Sequence, residues 1–230
     1  MLRIVQARSA HQAKSYYSHS DYYTEGQELA GVWRGRGAER LGLAGLVEKA
    51  DFNALCDNRH PTTGERVTAG DRGNRTVGYD FNFHAPKSLS LLHALTDDPA
   101  ILTAFQASVD DTMRLIEADA QARVRKGGVE ADRTTGELVW ARFDHLTARP
   151  IDGVPDPHLH SHGFVLNMTF DGEEDCWKAG QFRSLKQDAP YYQAAFHASL
   201  TARLRALGFA IEATPDGWEV AGFTDRKSVV

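Results

Sequence analysis

Several things are scarce in this sequence, and each scarcity narrows what the chain can be. There are two cysteines in 230 residues, Cys56 and Cys176, and neither sits in a C-x-x-C pair. That excludes a disulfide scaffold and a zinc knuckle, and it suits a reducing cytoplasm. No run approaches 18 consecutive apolar residues, so no membrane-spanning helix is expected. The first eight residues, Met1 to Arg8, lack the long apolar stretch of a signal peptide. No excess of positive charge exists either: the net charge is −5 and the pI about 6.0. This argues against a broad, non-specific polyanion binder, while leaving room for a local groove that grips a short single strand. No internal repeat or low-complexity run stands out.

What is present is a 42% hydrophobic, 25% charged chain, ample for one core. Residues 2–8 read as a first strand and Ala10 to about Ser18 as a short helix, followed by a polar, turn-like stretch. Residues 31–45 read as a glycine-rich, basic loop with one turn of helix, 46–57 as a helix, and 58–75 as a long loop. Thr76 to His84 alternates as a half-buried strand, with Tyr79, Phe81 and Phe83 on one face and Asp80, Asn82 and His84 on the other. A helix is expected over Lys87–Leu95 and a long one from Pro99 to about Lys126, closed by Gly127-Gly128. Strands are expected over Leu138–His145 and His158–Phe170, a helix over 186–207, and a final hairpin across Thr214–Gly217. The expectation is α+β, with a central, mainly antiparallel sheet flanked by helices. The last residues, Thr224 to Val230, look like a helix just beginning, so residues 1–230 are expected to be one domain at the N-terminal end of a longer chain.

Chemistry concentrates at Pro157-His158-Leu159-His160-Ser161-His162. On a strand, alternate side chains share a face, so the three histidines point one way. Two neutral imidazoles on one face can share a metal if a further ligand arrives from elsewhere. His145 ends the preceding strand on the Val139/Ala141/Phe143 face. If the two strands pair, His145, His160 and His162 form a cradle with an open coordination position. Two tyrosine doublets, Tyr16-Tyr17 and Tyr22-Tyr23, supply hydroxyls that can act as nucleophiles. A phenol with an ordinary pKa near 10 needs help at neutral pH, which a divalent metal on a phosphate can supply. Asp80 can orient a histidine ligand or accept a tyrosine proton. Arg34, Arg36 and Arg40 are either solvated or phosphate-contacting. Lys87 and Ser88 either meet a phosphate or cap a helix, and Trp33 is either core or a stacking platform.

Four stretches in order resemble one family. They are Arg8-Ser9-Ala10 through Tyr16-Tyr17 to Tyr22-Tyr23; Trp33-x-Gly-x-Gly-Ala-Glu-x-Leu-Gly-Leu; Gly78-Tyr79-Asp80-Phe81-Asn82-Phe83-His84-Ala85-Pro86-Lys87-Ser88; and Pro157 to His162. Together they look like the start of an F-type conjugative relaxase, an HUH endonuclease usually found as the N-terminal domain of a relaxase–helicase. The resemblance implies that Tyr16 is the nicking nucleophile and that Tyr22 or Tyr23 performs a second transesterification. It implies His145, His160 and His162 as metal ligands and Asp80 as the acidic residue beside them. The implied activity cuts one strand of plasmid DNA at a nic site in a transfer origin, leaving the protein on the 5′ end as a phosphotyrosine. A cytoplasmic monomer is expected, with single-stranded DNA, a C-terminal helicase and other relaxosome proteins as partners. Mg or Mn is favoured by availability, and Zn, Ni or Co by ligand softness. Ser161 stands where this branch commonly has threonine and should point away from the metal. His158 is a departure that reads as a rim residue or a spare imidazole.

Overall fold

The alternation of Gly78 to His84 produces the strand that the sheet is built on. The computed structural model describes residues 1–11, 13–14, 30–70, 75–126, 128–148, 155–215 and 217–223. The tyrosines at 16, 17, 22 and 23 lie outside the described residues. Five strands form the central sheet: β1 (Leu2–Ala7), β2 (Val32–Arg34), β3 (Gly78–His84), β6 (Trp140–Thr147) and β7 (Pro157–Leu166). Their spatial order is β1-β3-β7-β6-β2 and every neighbouring pair is antiparallel, as the α+β expectation requires.

One face of the sheet is covered by helices. In α4 (Pro99–Ala118), Ile101, Phe105, Val109, Met113 and Ile116 recur at helical spacing and are fully buried. In α6 (Ala189–Ala206), Tyr192, Phe196, Leu200 and Leu204 form a second buried stripe. These stripes close over Phe81, Phe83, Trp140 and Val165 of the sheet. Phe196 sits between Phe83 and Phe105, with ring centroids 5.2 and 5.8 Å away. Asp98 caps α4 by accepting from the Ala100 N–H at 2.9 Å, with Pro99 just inside the helix. The helix α3 (Lys87–Thr96) is tied to the closing hairpin, β10 (Ile211–Thr214) and β11 (Gly217–Val220). The Ser88 N–H donates to Glu219 at 2.9 Å and the Val220 N–H to Ser88 Oγ at 2.8 Å.

The opposite face divides into an apolar half and a polar half. Trp33, Phe52, Leu55, Phe143, Phe164 and Leu166 make a second apolar cluster. Phe52 and Leu55 come from α2 (Lys49–Cys56). The short helix α1 (Arg36–Arg40) is held close to the sheet by Glu117, whose Oε1 accepts from the backbone N–H groups of Arg36 and Leu138, both at 2.8 Å. Gly35 is required there: its φ is +92°, and a Cβ would fall 2.4 Å from the Leu138 carbonyl oxygen.

The structure corrects several expected boundaries. The long helix stops at Ala118. Residues Gln121–Lys126 are a strand, β4, paired with β5 (Val129–Thr134). Ala122 and Val124 are buried while Arg123 and Arg125 point outward, a period of two that the helical reading missed. Gly128, at φ +81°, belongs to the hairpin turn and is not a helix cap. Arg123 and Arg125 therefore pair across the hairpin with Asp132 and Glu130. The strand expected over 158–170 breaks after Leu166. Asn167 turns the chain by donating to the Thr76 carbonyl at 3.0 Å and accepting from the Gly180 N–H at 3.1 Å. The new strands β8 (Thr169–Asp171) and β9 (Cys176–Lys178) follow. The helix expected over 186–207 is two, α5 (Arg183–Gln187) and α6, separated at Asp188 just before Pro190. Within 31–45 the edge strand β2 pairs with β6, where only a loop was expected.

Phe196→Ala should destabilise the fold by about 3–5 kcal/mol, because it opens a cavity between the sheet and α4. Urea denaturation of the two proteins under the same conditions measures it.

Candidate metal centre

Backbone pairing assembles the site. With β7 between β3 and β6, His84, His160 and His145 stand opposite one another in one row. Asn82, His162 and Phe143 form the next row, and Asp80, Phe164 and Ala141 the third. Because side chains alternate, all nine lie on the same face of the sheet. Phe143, Phe164 and Ala141 belong to the apolar half of that face, and the imidazoles to its polar half. The β6–β7 register shifts between His145 and Thr147, so His145 is the last paired residue before the irregularity.

His145, His160 and His162 each offer a ring nitrogen within 4.8 Å of the others. Their ring centroids are 5.0, 5.1 and 5.2 Å apart, a nearly equilateral arrangement. Hydrogen bonds select the tautomers of two of them. His160 Nδ1 lies 2.8 Å from the His158 carbonyl oxygen, which can only accept, so this nitrogen carries the proton and Nε2 keeps its lone pair. His162 Nδ1 faces the Asp80 carboxylate at 3.0 and 3.2 Å, with the same consequence. Burial disfavours the charged imidazolium, so His145 is lowered to about 4 and His160 further. Neutral imidazoles with their lone pairs turned together are the donor set that a borderline divalent ion takes.

The expected site residues thus divide. His145, His160, His162 and Asp80 come together, and the tyrosine doublets are outside the described residues. Ser161 points to the helix-covered face and is fully buried. Trp33 is core, 3% exposed and packed against Phe52. Arg34 is 3.4 Å from Asp110, and Arg40 forks onto Glu137 at 2.6 and 2.8 Å. The Lys87 ammonium donates to Asp156 at 2.6 Å and to the Pro157 carbonyl at 2.9 Å, while Glu219 occupies the Ser88 N–H. Cys56 is buried and its thiol is pushed up to about 12, consistent with an inert role.

Two groups of residues escaped the sequence reading. His84 was placed on the polar face of its strand, but its position opposite His160 follows only from pairing. On the other face, Arg142 is buried against Asp110 of α4 at 2.6 Å and against Asp144 at 3.1 Å. Asp144 in turn accepts from Gln106 of α4 at 2.8 Å. This network ties β6, and with it His145, to the helix behind it. Its alternation on β6 was legible, but its partners on α4 were not.

Burial also makes the site acid-sensitive in the metal-free protein. His84 and His145 are each lowered to about 4, against an ordinary value near 6.5. The unfolded chain takes up these protons near pH 6.5 and the folded chain only near 4. Their contribution to stability is therefore complete above 6.5 and is lost as pH falls toward 4. Melting temperatures in a chelator should drop over this window, and His145→Asn should flatten the dependence.

Comparison with known proteins places the chain. A family model described as TrwC relaxase matches residues 10–228. The multifunctional conjugation protein TraI of Escherichia coli (strain K12) is 34% identical over 232 residues, covering 96% of this chain and 13% of that protein. Another Escherichia coli TraI is 33% identical over 245 residues, covering 100% and 14%. The chain thus spans only a small part of these relatives' length. Among solved structures, the metal-bound conjugative relaxase TrwC in complex with oriT DNA superposes with a TM-score of 0.85 at 32% identity, covering 98% of this chain and 77% of that one. A copper-bound TrwC–oriT complex gives the same TM-score, identity and coverage. With this fold, this length of match and these identities, the chain belongs to the TrwC relaxase family.

Proposed function

We propose that this chain nicks and rejoins one strand of DNA at a plasmid transfer origin through a tyrosine–DNA phosphodiester. The observation that supports this best is the cluster of His145, His160 and His162, with the Nε2 atoms of His160 and His162 left for a ligand by hydrogen bonds at Nδ1. The TrwC structures with oriT DNA support the choice of substrate. The family membership supports a transfer origin over a replication origin.

In this reading the three imidazoles hold a divalent metal. Bound there, a metal would polarise the scissile phosphate and offset charge developing on its oxygens. Asp80 acts as a positioning residue: its contact with His162 Nδ1 fixes the ring's tautomer and orientation. Tyr16 is the proposed nucleophile for nicking, with Tyr17 as its neighbour in the doublet and Tyr22 or Tyr23 for the second transesterification. The Tyr16 hydroxyl gives up its proton as its oxygen bonds to phosphorus, the bond from phosphorus to the 3′-oxygen breaks, and that oxygen takes up a proton to leave as a 3′-hydroxyl, with no net proton change. The bond energy is conserved in the ester, so the reaction can run back as a joining step. Three imidazoles suit Mn, Zn, Ni or Co, and Mg or Mn by availability. We also propose that residues 1–230 act as one nicking unit, a monomer working in the cytoplasm with a helicase and other relaxosome proteins. No helix among the described residues is long and apolar enough to cross a membrane.

An adduct assay tests the reading. Single-stranded oligonucleotides tiled across a cognate transfer origin, with Mn or Mg, should give a protein band shifted on a denaturing gel. A chelator, Tyr16→Phe and His160→Ala should each abolish it. A band that survives Tyr16→Phe beside unchanged Tyr17, Tyr22 and Tyr23 would overturn the nucleophile. Metal-independent binding without a band would favour a non-catalytic DNA-binding domain. Asp80→Asn should retain the fold but weaken metal affinity about 10–100-fold, as loss of a carboxylate partner does at other histidine–metal sites. Calorimetric titration reads that change directly.

A further inference from the structure

The polar half of that sheet face carries two imidazoles beyond the three already assigned. His84 is the last residue of β3 and His158 the second of β7, and both are half-buried. His84 Nδ1 and His158 Nε2 are 2.9 Å apart. The His84 ring lies nearly parallel to that of His160, with centroids 5.7 Å apart and an interplanar angle of 10°. The His158 ring is 4.8 Å from that of His160. The backbones beneath the pair are fixed: the Ala85 N–H donates to the Leu159 carbonyl at 3.0 Å and the His84 N–H to that of Met1 at 2.9 Å. His158 also holds His160 through its carbonyl oxygen. The pair is therefore a built feature of the sheet.

We propose that His84 and His158 form a second site for a borderline divalent cation of the nickel, copper and zinc class, beside the three-histidine cluster and independent of the nicking reading. Two nitrogens bound cis on one ion, at metal–nitrogen distances of about 2.0–2.1 Å and right angles, lie about 2.9 Å apart. The pair already has this spacing, and an ion requires both rings to rotate so that the two lone pairs leave the line between the nitrogens and meet at one point. Tetragonal or octahedral ions thus fit with least movement, while a tetrahedral ion needs the nitrogens to open by a few tenths of an ångström.

The proton balance is simple. With both rings neutral, one N–H lies between the two facing nitrogens. Cation binding moves that proton to the far nitrogen of the same ring, so no net proton is lost. Charges of both signs lie near the pair: the Lys87 ammonium is paired with the Asp156 carboxylate at 2.6 Å, and the Met1 amino group, which donates to the His84 carbonyl, is lowered by burial to about 6 and is therefore mostly neutral at pH 7.5. Water or substrate oxygen would complete the coordination. A cation held here sits one ring away from the cluster ligand His160.

Stoichiometry decides the matter. Untagged, metal-free protein is equilibrated with Ni²⁺ at pH 7.5, dialysed, and its metal content measured beside calorimetric titration. The unmodified chain should bind two ions. His84→Ala and His158→Asn should each bind one, with the remaining affinity unchanged within about twofold. His160→Ala combined with His162→Ala should lose the cluster ion and keep the other. Circular dichroism confirms the fold of each variant, and the two single variants stand as independent tests. One ion on the unmodified chain, or two on both single variants, overturns the proposal. Loss of both ions in the double variant overturns the independence of the sites without touching the nicking reading.

Discussion

The backbone ladder that holds β7 between β3 and β6 is the constraint on which the site depends. It sets His84, His160 and His145 in one row and places Asp80 within reach of His162. A slip of one residue in β7 would turn every second side chain over. His158, His160 and His162 would then face α4, while Leu159 and Ser161 would take the open face. Such a slip is resisted by burial: Phe164 and Leu166 fill one apolar cluster and Leu159 and Val165 the other. The apolar residues of the strand thus determine where its polar residues stand.

The division of one sheet face into an apolar half and an imidazole half follows from the same economy. Phe52, Phe143 and Phe164 exclude water at one end, where their rings meet edge to face. At the other end His145 and His160 are sheltered enough to keep them neutral. Burial lowers their basicity, and the hydrogen bonds from His160 Nδ1 and His162 Nδ1 aim the remaining nitrogens. On the far face, Arg142 and Asp144 are buried ions whose desolvation is offset by their partners Asp110 and Gln106. Removing one partner would leave an uncompensated charge directly behind the strand that carries His145.

Local reading failed where two elements share a compatible pattern. Gln121–Lys126 follows a strong 3.6-residue stripe without a proline or glycine between, a pattern that a continuing helix also satisfies. Only the burial of Ala122 and Val124 against the body of the protein reveals the period of two. Likewise, Asn167 reads as one more strand residue until its amide is seen between Thr76 and Gly180. The basic residues Arg34, Arg40 and Lys87 looked available for phosphate in the sequence, yet each has a carboxylate partner far along the chain.

The α+β class, the strand character of Gly78–His84 and Pro157–Leu166, and the shared face of His158, His160 and His162 are legible in the amino-acid order. Each is a matter of periodicity within one segment, which the covalent chain carries. Four motifs in order also sufficed to identify the relaxase resemblance. Only the tertiary structure decided which strands are neighbours and in what register. That settled the meeting of His145 with His160 and His162, the hold of Asp80 on His162, and the approach of His84 to His158. The physical reason is that pairing is chosen by the fit of both sheet faces against distant helices and loops. No stretch of one strand contains that information.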